Sequence, residues 1–397
     1  MHQPLVSIVT PSYNQGHFIR ATIESVLSQT YQPIEYIIMD GGSTDATASI
    51  VKDYSSRVTW ISERDHGQSH AINKGFRMAK GSIVSWLNSD DWILPGAVAH
   101  AVAGFAAQPE AGAVYGEGYV ADRNGSITGR FPFTEPLNLW KLVHLSDYIL
   151  QQTVYFRRAV IEDVGFLRED LHYVMDWDIL IRIAKRYSVH YIPEYMGCLR
   201  EYPESKSFSG GRERLREIAS ILREHTGLRY PPGYLVYGLH TYRSLWSESI
   251  RTRAPAPLRP FSNWLASSLS VMCGYWADRA ERLSQGWRPD GWAGRVMKYM
   301  LPAGPSRKLA LSGWIPKRQK MTIEANGVGV AEKVLEKGDF EWEVQIPRSS
   351  DSICLEFKTS RRFLAGVPYK LRSIGSERMI EPSRPGPHHR DQSSVLR

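Results

Sequence analysis

The chain has 397 residues, 42% hydrophobic, 23% charged and 11% aromatic, which excludes disordered, collagen-like and disulfide-scaffold classes and allows roughly two or three domains. The net charge of +8 is uneven: residues 1–200 carry 17 basic and 21 acidic side chains, residues 201–397 carry 32 and 20. The basic back half either faces an anionic partner such as a membrane surface or is Arg-rich solvated helix. Cys198, Cys273 and Cys354 are scattered and form no zinc or CxxC spacing, so a reducing compartment is expected. No basic lead-in with a long h-region opens the chain, and no run of roughly 18 apolar residues occurs, so neither a signal peptide nor a membrane-spanning helix is expected.

The first hundred residues alternate strand and helix. Leu5–Thr10 is a short β-branched run, a buried strand, broken by Pro11-Ser12-Tyr13-Asn14. Ile19, Ile23, Val26 and Leu27 share one helical face. Ile34–Met39 is a second strand, ending in Asp40-Gly41-Gly42-Ser43-Thr44-Asp45 before a helix over Ala46–Tyr54. Val58–Ile61 and Ile83–Leu87 are further strands, with a helix over Ser69–Ala79 between them and another opening at Pro95. This order predicts an open, mostly parallel sheet covered by helices on both faces. Ala113–Tyr119 and Ser126–Phe131 pair as a hairpin around Asp122-Arg123-Asn124-Gly125. A strand at Thr153–Phe156 and a helix around Ile179–Ala184 follow, then a strand at Val189–Ile192 and a charged helix over 211–225. Residues 226–300 read as helical, basic and aromatic, with a proline-rich linker at Arg251–Pro260. From about residue 305 the apolar period becomes two, as in Phe340, Trp342, Val344 and Ile346, which predicts a small antiparallel sandwich. The tail from Pro382 reads as disordered.

In a parallel α/β sheet, ligands bind at the carboxyl ends of strands. Those ends here carry Thr10 to Tyr13, Asp40 to Ser43 and Asn88 to Asp91. Adjacent Asp90 and Asp91 either cap the helix near Pro95 or hold a divalent metal that relieves their repulsion and bridges a diphosphate. Of Asp176 and Asp178, before the later helix, one is a general base or both are N-terminal helix residues. The Glu63 to Gln68 loop suits polar ligand contacts. Walker A, dinucleotide GxGxxG, GxSxG and HExxH motifs are absent.

Five segments in order over residues 4–208 resemble inverting family-two glycosyltransferases with the GT-A fold, most closely bacterial enzymes of surface polysaccharide and lipopolysaccharide synthesis. They are Val6 to Asn14, Asp40 to Asp45, Gly67 to Gly75, Leu87 to Asp91, and Met175 to Asp178 followed by Arg182. The resemblance implies an α/β GT-A nucleotide-diphospho-sugar transferase fold with an open mixed sheet, a nucleotide-sugar donor, usually UDP-linked, and Mn²⁺ or Mg²⁺. It implies Thr10, Pro11 and Tyr13 around the base and Asp40 on a base N–H. Asp65, Gln68, Asn73 and Asn88 would sit on the donor, with Arg200 and Lys206 on the diphosphate. Asp90 would ligate the metal with Asp91 beside it, and Asp176 would be the base. Asn88 stands where the family's Asp-x-Asp begins, Gly41 where a second Asp is common, His70 where many relatives carry Asp, and Met175 where the family has Glu.

The expected organisation is a catalytic domain over 1–210, a helical basic and aromatic extension over 211–300, an accessory β domain over 301–381 and a disordered tail over 382–397. The expected partners are a nucleotide-sugar donor, a saccharide or lipid-linked saccharide acceptor and an anionic membrane touched peripherally, with no nucleic acid. The expected place is the cytoplasm, peripherally on the inner face of the plasma membrane. The second reading is a catalytically silent GT-A protein that binds nucleotide-sugar or glycan in an assembly complex.

Overall fold

The computed structural model describes residues 3–253, parts of 260–268 and most of 292–378. It forms two compact units, Met1–Ala277 and Asp278–Arg397. No helix among the described residues is long and apolar enough to cross a membrane.

The first unit is built on one mixed sheet in the order β3-β2-β1-β4-β8-β6-β9-β5. Strands β1 (Val6–Ser12), β2 (Ile34–Asp40), β3 (Thr59–Ser62) and β4 (Ile83–Trp86) run parallel. Every residue of β1 and β4 is buried, as their continuous apolar runs require when helices cover both faces. The crossovers are α1 (Ile19–Leu27), α2 (Thr47–Lys52) and α3 (Gln68–Met78). Ile19, Ile23 and Val26 of α1 enter the same core as Val6, Ile8 and Ile38 of the sheet. Next come the short β5 (Trp92–Ile93) and α4 (Ala97–Ala107), then β6 (Ala111–Ala121) paired antiparallel with β7 (Ile127–Arg130). Asp122 Oδ1 accepts from the Asn124 and Ser126 N–H groups, which closes the expected hairpin turn. After α5 (Leu139–His144), β8 (Tyr155–Arg157) joins β4 and β6 antiparallel. Beyond α6 (Arg158–Val164) and α7 (Met175–Arg186), β9 (Ser188–Arg200) lies parallel to β6. The sheet is therefore half parallel and half mixed.

The short α8 (Lys206–Ser209), α9 (Gly211–Thr226) and α10 (Pro232–Arg253) follow. Helix α10 runs through the start of the expected linker, to Arg253; residues 254–259 lie outside the described residues. The expected helical extension also ends too late at 300, because β10 (Trp292–Ala293) and β11 (Val296–Leu301) are strands of the second unit.

That unit is two antiparallel sheets facing across one core. Its further strands are β12 (Arg307–Ile315), β13 (Gln319–Ala325), β14 (Val328–Leu335), β15 (Gly338–Ile346), β16 (Ile353–Thr359), β17 (Tyr369–Ile374) and β18 (Glu377–Arg378). Strand β16 alternates buried and half-buried residues along its length, the period of two read from sequence. The expected tail at 382–397 lies outside the described residues.

Gly75 sets how closely α3 lies on β1, since a methyl there would run into the Val9 side chain. Gly75→Ala should lower stability in urea denaturation, because overpacking costs about 1–3 kcal/mol while better helix propensity returns at most about 1 kcal/mol. Adding Val9→Ala should recover part of that loss.

Candidate active site

The parallel register sets Ser12 beside Asp40 and Asp40 beside Ser62, so the carboxyl ends of β1, β2 and β3 form one edge. The loops there are pinned together. The Asn14 N–H donates to Ser43 Oγ at 2.8 Å, and Asn14 Oδ1 accepts from the Thr44 N–H at 2.9 Å. Asp45 accepts from Gly16 and Thr47; burial works against its charge, but these bonds hold its carboxyl below the usual range. Asp40 is buried, and accepts from the Ser43 and Ser62 hydroxyls, each at 2.5 Å. Tyr13 is 61% exposed above this edge. Asp65 Oδ1 accepts from the Gly67 N–H. A Cβ at Gly41 would lie 2.7 Å from Asp65 Oδ2 and 3.3 Å from the Tyr13 ring, so glycine there admits both side chains. Thr10 and Pro11 are buried in β1, and the Thr10 hydroxyl meets the Tyr36 hydroxyl at 3.0 Å inside the sheet. Asn73 is also turned inward: its amide bonds Leu167 backbone on both sides and donates to Glu169.

The end of β4 carries the acidic cluster. Asp91 is buried and does not cap α4. Its Oδ1 accepts from the Arg200 N–H at 2.8 Å, and its Oδ2 from Gln152 Nε2 at 2.5 Å and Asn88 Nδ2 at 3.4 Å. Burial and the neighbouring Asp90 charge push its carboxyl well up. Asp90 accepts from the Tyr202 hydroxyl at 2.8 Å on Oδ2. Its carboxyl is also raised by burial, against the pull of Tyr202, Arg200 and Lys206. A relay continues through Asn88 Oδ1, which accepts from Gln68 Nε2 at 2.7 Å, and Gln68 Oε1, which accepts from Lys206 Nζ at 2.6 Å. Burial lowers Lys206 to about 8, while Asp176, Glu217 and Asp90 work to keep it charged. Arg200, expected on the diphosphate, is instead an internal strut. Its Nε donates to the Asp90 carbonyl, its Nη1 to the Arg123 carbonyl, and its guanidinium lies between the Phe18 and Trp92 rings at 4.8 and 4.9 Å.

Asp176 opens α7, with Oδ1 accepting from the Trp177 N–H. Burial raises its carboxyl, opposed by that bond and by the Arg214 and Lys206 charges. Asp178, two residues on, is a different group. It is fully buried, ion-paired to Arg182 at 2.8 Å and hydrogen-bonded to His225 Nε2 at 3.0 Å. Burial works against its charge, but the His225 and Arg182 contacts hold its carboxyl below the usual range. The contacts therefore separate a committed Asp178 from an Asp176 whose carboxylate takes the Trp177 N–H and feels the Arg214 and Lys206 charges.

Residues 7–164 match the family model for glycosyl transferase family 2. Among relatives, an uncharacterized glycosyltransferase of Rickettsia typhi is 27% identical over 207 residues, 49% of this chain and 63% of its own. The O-antigen biosynthesis protein RfbC of Myxococcus xanthus is 30% identical over 264 residues, 65% of this chain and 19% of its own. Among solved structures, S. aureus TarS in complex with UDP-GlcNAc aligns at a TM-score of 0.46 and 17% identity, covering 71% of this chain and 93% of that one. The chain spans less than two-thirds of the length of the curated relatives it matches. Residues 7–164 are a family-two glycosyltransferase domain.

The glycosyltransferase domain has the GT-A fold, an open mixed sheet with the polar strand ends on one edge. No group of three or more His, Cys, Asp or Glu side chains that could by itself hold a metal ion is found among the described residues. Because Asp91 has both oxygens spent inside the fold, a divalent cation here would rest on Asp90 and complete its shell from water and diphosphate, as Mg²⁺-type ions do. A hard oxygen donor with a desolvated charge fits that ion. Sequence reasoning missed Tyr202, Gln152 and Asp147. Tyr202 and Gln152 lie outside every motif, and only the strand end at Arg200 and the twin amides Gln151-Gln152 hint at them. Asp147 lies between α5 and the short turn Gln151–Thr153, with Oδ1 accepting from the Ile149 N–H. Burial and the Asp176 charge push its carboxyl up to about 8, against Ile149 and Arg214.

The folded chain thus keeps a proton on Asp147 that the unfolded chain has already lost, and stability falls as pH rises from the ordinary carboxylate range toward about 8. Asp147→Asn should remove that slope. In thermal melts the variant should match the parent near pH 4 and exceed it by a few degrees near pH 8, a modest gain because Asp147 is only half-buried and water screens it.

Proposed function

We propose that this chain transfers a sugar from a nucleotide-diphosphate donor to a hydroxyl of a saccharide or lipid-linked saccharide, with inversion at the anomeric carbon. The observation that carries the reading is the hydrogen-bonded run at β4's end, Lys206 Nζ to Gln68 at 2.6 Å and Gln68 to Asn88 at 2.7 Å, two residues before Asp90, on an ammonium whose charge both Asp90 and Asp176 favour. A metal-bearing carboxylate and a base must lie on either side of the bond between sugar and diphosphate, and these two carboxylates are assigned those places. Tyr13, Asp40 and Asp65 at the neighbouring edge are the assigned nucleotide contacts. Gln68 and Lys206 are assigned to the diphosphate. Thr10, Asn73 and Arg200 support the site from inside the fold.

An acceptor hydroxyl has a pKa far above 7 and must lose its proton as it attacks. Asp176 takes that proton. The acceptor oxygen bonds the anomeric carbon as the bond to the diphosphate oxygen breaks, and the electron pair leaves on the diphosphate. One displacement inverts the centre and needs no enzyme nucleophile. Burial raises Asp176 toward the working pH, which favours a base but demands that it be ionised, so the rate falls as pH drops through its raised value. Lys206 meets the charge developing on the leaving group. When bound at Asp90, Mn²⁺ or Mg²⁺ supplies further positive charge to the diphosphate.

The resemblance favours UDP as the nucleotide, and the name of the Myxococcus relative favours a surface-polysaccharide acceptor. The sandwich unit is assigned an accessory role. Exposed Phe261 and Trp264 and the basic back half support a peripheral membrane contact, which flotation with anionic liposomes at low salt tests.

The deciding experiment is a panel of UDP-, dTDP- and GDP-sugars with Mn²⁺, read by donor hydrolysis and by thermal shift. One donor should turn over. Asp176→Asn should cut that turnover by about 10² to 10⁴ while donor binding persists. Folded protein that shifts with no donor would overturn the reading.

A further inference from the structure

Most of the polar groups around Asp90 are committed to partners inside the fold. Asp91 is satisfied by Arg200, Gln152 and Asn88. Asn88 is satisfied by Gln68 and donates to Asp91 and Gln151. Among the described residues, a divalent cation held at this edge would have one anionic protein ligand, Asp90. A site with a single carboxylate depends on how that carboxylate is turned, because no second one can compensate for a rotated ligand.

One side chain controls the turn. Tyr202, in the segment that leaves β9, reaches back and donates its hydroxyl to Asp90 Oδ2 at 2.8 Å. Its ring is buried and held: the Phe18 ring lies 5.1 Å away and the Arg123 guanidinium 5.6 Å away, with Arg123 itself paired to Glu204 at 2.8 Å. The hydroxyl therefore comes from a fixed platform. Below it, Arg200 bonds the Asp90 carbonyl and so fixes the backbone of the same residue.

Resting on the proposed transferase reading, we propose that Tyr202 is a positioning residue for the metal-bearing carboxylate: its hydroxyl occupies Asp90 Oδ2 and presents Oδ1 to the cation. An outer partner that orients a ligating group is commonly worth about 10- to 100-fold in metal affinity. Tyr202→Phe deletes the hydroxyl and keeps the ring on Phe18, so it separates orientation from packing.

The test uses the full chain. Free Mn²⁺ is followed by its electron paramagnetic resonance signal during titration with UDP, GDP or dTDP present, for the parent, Tyr202→Phe and Asp90→Asn. Thermal melts confirm that all three are folded. Asp90→Asn should lose nucleotide-dependent Mn²⁺ binding. Tyr202→Phe should bind Mn²⁺ about 10- to 100-fold more weakly, and its turnover should recover at saturating Mn²⁺, since the residue acts through affinity. If Asp90→Asn loses binding and Tyr202→Phe binds like the parent or more tightly, the positioning role is overturned while the transferase reading stands. If Asp90→Asn binds like the parent, or the parent shows no nucleotide-dependent binding, the metal assignment fails and the role of Tyr202 fails with it.

Discussion

Two pairs of carboxylates lie where burial works against their charge: Asp90 with Asp91, and Asp147 with Asp176. Burial raises each of them. Each ionised carboxylate in such a place needs donors or a cation, and a buried charge left without them costs several kilocalories per mole. Much of the wiring of the first unit answers that requirement. Asp91 receives a backbone N–H from β9 and an amide from Gln152, which ties the end of β4 to two distant segments. Arg200, which supplies that N–H, is itself fixed by two carbonyls and two aromatic faces.

The answer is incomplete by design of the fold. Asp178 is bonded by Arg182 and His225 and belongs to the core. Asp147 receives one backbone N–H, and burial with the Asp176 charge pushes its carboxyl up to about 8. Lys206 is the ammonium drawn by both Asp90 and Asp176, and burial weakens its own charge. On the proposed reading, desolvated Asp90 gains from a bound cation, and Asp176, set against the Arg214 and Lys206 charges, gains relief from its burial by taking a proton. Both match what the proposed transfer to a hydroxyl would require.

The sheet edge was legible because parallel strands covered on both faces must be continuous apolar runs, and those of β1, β2 and β4 stand out between polar breaks. The sandwich was legible from its period of two, and the hairpin from Asp122 and Gly125. What spacing could not tell was the side of the backbone on which a motif residue lies. Thr10 and Asn73 share segments with site residues yet point inward, to Tyr36 and to the 167–169 loop. Arg200 ends a strand beside the cluster and turns its donors onto carbonyls. Strand β11 hid for a different reason. Val296–Leu301 has one charged residue, Lys298, so it offers no alternation to read. Tyr202 and Gln152 reach the site only through tertiary packing, which no local pattern reports.

The departures from the family pattern have a common physical sense. An aspartate at 41 would drive its Cβ to within 2.7 Å of Asp65 Oδ2, so the glycine lets the next loop deliver a carboxylate to the place that the missing one would crowd. Asn88 makes the same adjustment at the other end. Its amide donates toward Asp91 Oδ2 and Gln151 Oε1 and accepts from Gln68. An aspartate in its place would lose both donated bonds and set a third carboxylate beside Asp91, whose carboxyl is already pushed well up by burial and by Asp90. With Lys206 as the nearby ammonium, that extra charge would have little to balance it. Replacing carboxylate by amide at 88 therefore keeps Asp91 satisfied and Asp90 anionic, which is the one charge that a cation at this edge needs from the protein.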